Sequence, residues 1–284
     1  MNRTQQITCD WLKQSGLTGD ALLLEALLRR GFLAYQDDQG VWLGTGSHPE
    51  DIAVLRLIEG LAIEPLFGHK ERMVRLSLQS PDLSPMHFAS AIVAVLENHD
   101  GNHSLWTGWG IPNYRGKGGW NSYRKMTWGA KLAVCPTRDM RASEAQNALD
   151  LGVGLLIKAL PFARVATRAC CDGHGCKPAW ISLSTDWDLL WAKAVFDALG
   201  TDTPNSAWDW NRDLHIAPLS GWGDKEVLGM LDDIQHFARR LLHQRTIDTI
   251  GHARQRTMTE LGNLPPDSMR FSEVAMHQLT TEFR

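Results

Sequence analysis

The densest group of reactive side chains in this sequence is Cys170-Cys171-Asp172-Gly173-His174-Gly175-Cys176, three thiols and an imidazole in seven residues. Its two glycines let the backbone bend tightly enough for those side chains to converge. Thiolate and imidazole are soft and borderline donors of the kind zinc accepts in a tetrahedron. Cys171, His174 and Cys176 are therefore the expected ligands, and zinc the expected ion. A fourth donor has to come from elsewhere, with Cys135, Cys170 or Asp172 as candidates. Four protein donors would make a structural centre, whereas a water in the fourth place would make a catalytic one. The spacing departs from paired C-x2-C motifs, and no second pair follows downstream.

The same run supports two other readings. Strand alternation puts Val165, Thr167, Ala169 and Cys171 on one face and Arg164, Arg168 and Cys170 on the other. Cations beside a thiol favour its thiolate, so Cys170 is the expected nucleophile of an enzyme that used this loop directly. Its base would be His174, or a distant histidine such as His87, His99, His103 or His215. The plainer alternative treats the cysteines as small buried hydrophobes beside a glycine turn, with no catalytic site at all.

A second candidate site runs from Gly101 to Arg138. It contains no Asp or Glu but carries Arg115, Lys117, Arg124, Lys125, Lys131 and Arg138. Trp106, Trp109, Tyr114, Trp120, Tyr123 and Trp128 are interleaved with them. Cations that neutralise phosphates and rings that stack on bases are what single-stranded nucleic acid or a nucleotide requires. On this reading Arg115, Lys117, Arg124 and Lys125 hold phosphates, and Trp120 and Tyr123 stack. No P-loop pattern occurs. The alternative is a solvated loop whose tryptophans fold back onto the core, or a tryptophan surface that meets a protein partner. A further basic cluster, from Arg239 to Arg256, is interspersed with acids and reads as a charged helix face.

Composition bounds these possibilities. The 284 residues carry a net charge of −3, so no global field marks a nucleic-acid or membrane partner. No eighteen-residue apolar run exists, and the first residues lack a signal-peptide core, so a cytoplasmic protein is expected. Five cysteines, three of them clustered, suit a reducing compartment better than a disulfide framework.

The elements that must position these groups suggest three segments: 1–68, 69–203 and 204–284. In the first, a helix capped by Thr8 and a second, stopped by Gly31, precede a hairpin around Asp37-Asp38-Gln39-Gly40. That order is partly similar to a winged helix, although the second helix is apolar where a DNA-reading helix is polar. Ser47-His48-Pro49-Glu50 predicts a helix through about Leu61. In the middle segment, strands are expected at 73–78, at 132–135 and on both sides of the cysteine loop. Helices are expected from Ser84 to about Asn98, from Ser143 to about Leu160, and from Asp186 to Gly200. Residues 202–223 read as irregular. Beyond them Val227, Leu231, Ile234, Ala238 and Leu241 predict a long amphipathic helix, followed by a last one over 268–282. The class is α+β: a mixed central sheet with a helical N-terminal segment and a helical C-terminal tail.

Overall fold

The structure is a computed structural model that describes residues 2–44, 55–56, 58–65, 74–78, 83–94, 120, 150–183, 185–200 and 203–284. Two apolar cores organise them. The first is built from α1 (Arg3–Gln14), α2 (Gly19–Arg30), β1 (Ala34–Asp37), β2 (Gly40–Leu43), β3 (Leu61–Pro65), β4 (Val74–Leu78) and α3 (Pro85–Ala94). Asn2, not Thr8, begins α1: its side chain accepts from Gln5 N while its own N–H donates to Gln5 Oε1. This reciprocal cap satisfies donors that the helix itself cannot. Thr8 sits one turn inside, its hydroxyl donating to Thr4 O. Gly31 ends α2 at φ 100°, as expected. The predicted hairpin forms, and the four strands lie antiparallel in the order β1-β2-β4-β3. Leu61 opens β3 opposite Leu78 instead of ending a helix, and residues 45–54 lie outside those described. Of α2 only Asp20 and Ala21 are exposed. It is a core helix, with no polar face free to enter a DNA groove.

The second core holds α4 (Gly154–Ala159), β5 (Thr167–Cys171), β6 (Ala179–Leu183), α5 (Asp186–Leu199), β7 (Ser206–Asp209), β8 (Leu214–Pro218), α6 (Asp224–Leu242), α7 (Gln244–Leu261) and α8 (Ser268–Phe283). Its sheet is also antiparallel, ordered β5-β6-β8-β7. The α+β class therefore stands, with helices at both ends of the chain. The described strands divide between two antiparallel sheets, where the sequence suggested one mixed sheet. Strands β7 and β8 occupy a stretch read as irregular. They are short, flanked by Pro204 and Pro218 and joined by the polar Asn211-Arg212-Asp213, which hid their alternation. Thr185 caps α5, and Gly200 ends it as expected.

Most of the basic residues of the tail face solvent, as expected, and several also tie helices together. Arg239 pairs with Glu25 at 2.6 Å, and Arg240 donates to the carbonyls of Leu199 and Gly200 that end α5. Arg254 donates to Arg164 O at 3.0 Å, and Arg256 pairs with Glu282. At the centre lies Trp191, fully buried, with its indole N–H on Ala163 O at 2.8 Å.

Asp188, in the first turn of α5, is also fully buried; it accepts from the Thr185 hydroxyl and from Ala166 N. Burial pushes its carboxyl up to about 6, against the lowering influence of those donors and of Arg254. The folded chain thus holds this proton more tightly than the unfolded one. The group's contribution to stability falls as pH rises from about 4 to about 6 and is level above. Asp188→Asn, which cannot ionise, is expected to gain about 2–3 kcal/mol on the wild type between pH 4 and pH 7. Urea unfolding of both chains at the two pH values measures this; a pH-independent difference would refute it.

Candidate metal centre

The site begins with an irregularity in β5. Thr167 pairs with Leu183 and Ala169 with Ser182, so the strand advances two residues while its partner advances one. This bulge at Arg168 reverses the alternation that follows it. Thr167 and Cys170 are consequently both buried, each opposite a buried partner, while Cys171 faces outward opposite Trp180. After Cys171 the chain turns through Gly173, His174 and Gly175, all left-handed at φ 71°, 53° and 73°. Such a backbone is unusual for histidine. It is held by Asp172, whose Oδ1 accepts from His174 N at 2.7 Å. Position 173 admits only glycine: a Cβ there would lie 2.9 Å from Pro178 O.

This bend brings Cys171, Asp172 and His174 together, and Asp150 joins them. One donor atom from each of the four lies within 4.8 Å of every other. Cys171 Sγ is 3.7 Å from His174 Nε2. Two ligands of one tetrahedral zinc, with Zn–S near 2.3 Å and Zn–N near 2.05 Å, stand about 3.6 Å apart. Asp172 N donates to Asp150 Oδ2 at 3.1 Å, tying the Asp150 carboxylate to the turn that carries Asp172. Asp172 has no solvent exposure, and its Oδ2 has no hydrogen-bond partner among the described residues. The group can hold a metal ion.

The electrostatics have the same origin. Burial, followed by the Asp150 carboxylate, pushes Asp172 up to about 6, opposed by the His174 N–H, the His174 ring and the nearby Thr4. Thr4 Oγ1 makes no hydrogen bond of ordinary length to it, so its influence is that of a nearby dipole. Burial raises the Cys171 thiol to about 11, with the two aspartates adding to the effect and Gly173 N–H opposing it. A cation among these donors would reverse these causes.

Of the three expected ligands, Cys171 and His174 are brought together. Cys176 is not among the converging donors: it is exposed, and its Sγ–H donates to Gly173 O at 3.4 Å. Cys135 lies outside the described residues. Asp172 fills the place for which it was one of three candidates. Asp150 was missed, because a continuous helix was expected from Ser143 to Leu160. Instead α4 starts at Gly154, and Gly152 takes φ 89° with Leu231 Cδ2 only 2.5 Å from where its Cβ would be. Two glycines in a nominal helix were the available signal. They free the segment around Asp150 to turn toward β5.

Cys170 does not fit a nucleophile. It is buried in the second core, and burial, together with Asp150, Cys171 and Asp172, raises its thiol well above the ordinary value. Arg164 cannot activate it from a shared strand face, because it precedes β5 in a turn at φ 63°. Cys170, Cys171 and Cys176 form no disulfide.

Among the residues expected to contact phosphate or bases, Trp120 is in the second core. Its ring meets Trp187 at 5.1 Å and Phe271 at 5.9 Å, edge to face, and it is not available to stack on a base. Arg115, Lys117, Tyr123, Arg124 and Lys125 lie outside the described residues. No described helix is long and apolar enough to cross a membrane. Comparison with family models, curated proteins and solved structures finds no match to this chain.

Proposed function

We propose that this is a zinc protein in which Asp150, Cys171, Asp172 and His174 hold one ion as a closed structural centre. The observation that carries the reading is the convergence of four donor atoms, each within 4.8 Å of the others, around fully buried Asp172, whose Oδ2 makes no hydrogen bond of ordinary length. A buried polar atom in that position requires a proton or a cation as partner. The ligand set favours zinc. A thiolate suits neither magnesium nor calcium, and imidazole with carboxylate completes a borderline set. Four protein donors leave a tetrahedral ion no position for water, so water activation is not part of this reading. Phosphate contact by the 101–138 segment remains an inference from its composition alone.

Elemental analysis of the chain purified under reducing conditions is expected to give one zinc per molecule. Cys171 is protonated when free at neutral pH and must ionise to bind. Metal uptake at pH 7.5 should therefore release about one proton, and affinity should rise about tenfold per pH unit between 7 and 9. Titration in buffers of differing ionisation enthalpy reads both quantities. Failure to bind at micromolar free zinc would overturn the assignment.

A further inference from the structure

The metal donors are divided between the two cores. Asp150 immediately precedes Leu151, which packs in the first core, whereas Val153 packs in the second. Gly152 N approaches Arg29 O of α2 at 3.5 Å, so this turn is tied to the first half of the molecule. Cys171, Asp172 and His174 belong to the β5–β6 connection of the second half. Along the same seam, Ile7 of α1 and Leu28 of α2 pack into the second core, and polar groups of α1 and α2 meet α6 and its preceding loop. Arg3 pairs with Asp224 at 2.7 Å and donates to Gly175 O in the metal loop at 2.7 Å and to Trp222 O. Arg29 pairs with Asp232 at 2.7 Å, and Glu25 with Arg239. Asp224, Asp232 and Arg239 are substantially exposed, whereas Arg29 and Glu25, the partners of the last two, are largely buried, so the seam combines solvent-screened contacts with buried ones.

Resting on the zinc reading above, we propose that the ion is a clamp that regulates docking of the two halves. Asp150 arrives from one side and the other three donors from the opposite side. The complete ligand set exists only when the seam is closed, so zinc binds the closed form in preference to the open one. A ligand selective for one form shifts the equilibrium toward it by its own binding factor. Zinc concentration then sets how often α1 and the facing side of α6 open to solvent.

Hydrogen exchange of the full chain, with zinc sulfate or with EDTA, tests this. With free zinc at one hundred times its dissociation constant, amides of α1 that exchange through seam opening should slow about a hundredfold. The β1–β2 hairpin, which carries no seam ion pair, should keep its local fraying rate. Asp150→Asn leaves three donors on one side of the seam. It should still let zinc protect residues 171–176 at higher concentration, but no longer α1. One zinc bound with unchanged α1 exchange overturns the clamp and leaves the zinc centre intact. Full protection of α1 in Asp150→Asn overturns it as well. Absence of zinc binding removes both readings.

Discussion

Cys171→Ser will lower zinc affinity by at least a hundredfold, while Cys176→Ser will leave it within about threefold. Losing a residue that merely orients a metal ligand costs ten- to a hundredfold, so losing a thiolate ligand itself must cost more. Serine retains shape but not softness, and its hydroxyl does not ionise at neutral pH. Cys176 is equally close in sequence, but its sulfur bonds to Gly173 O outside the donor group. Competition with a chromophoric chelator measures both variants. Equal losses would return the site to the ligand set suggested by the sequence, with Cys176 in place of an aspartate.

The second large effect is in the core. Trp191→Ala should destabilise the fold by about 4–5 kcal/mol, because a fully buried indole leaves a cavity that its neighbours cannot close. The change also leaves Ala163 O without its donor in a buried turn. Arg254 loses the ring it lies over, 5.8 Å from the centroid. Against a typical total of about 5–15 kcal/mol, this is enough to unfold much of the population at 37 °C. Urea unfolding monitored by far-UV circular dichroism gives the value. A loss below about 1.5 kcal/mol would show that the second core is not packed around Trp191.

Long amphipathic elements were legible in the sequence, because a 3.6-residue period is repeated many times along them. Thus α5 and α6 fall where their apolar stripes and caps place them. Short elements were not. Strands β7 and β8 offer two alternations or fewer before a proline or a polar turn intervenes, and the pairing of β8 with β6 and of β7 with β8 is what creates them. The site was half legible for a related reason. Cys171, Asp172 and His174 are neighbours in sequence, and local turn chemistry alone brings them together. Asp150 lies more than twenty residues away, and its approach depends on a helix that does not form across Gly152. The cysteine faces were misassigned because strict alternation cannot anticipate a bulge. Trp120 was assigned to base stacking because composition cannot distinguish a ring turned outward from one turned in.

The extra residue in β5 has a consequence for the two adjacent cysteines. It is a spacer that lets Thr167 and Cys170 both face inward, opposite Leu183 and Ile181, while Cys171 lies opposite Trp180. Deleting Arg168 would leave a regular pleat with those pairings intact, so Cys171 would stay the accessible thiol of the two, which peptide mapping after alkylation of the metal-free chain reads directly. Two identical side chains in succession are thus not spares for one another: the partner strand fixes which of them is interior.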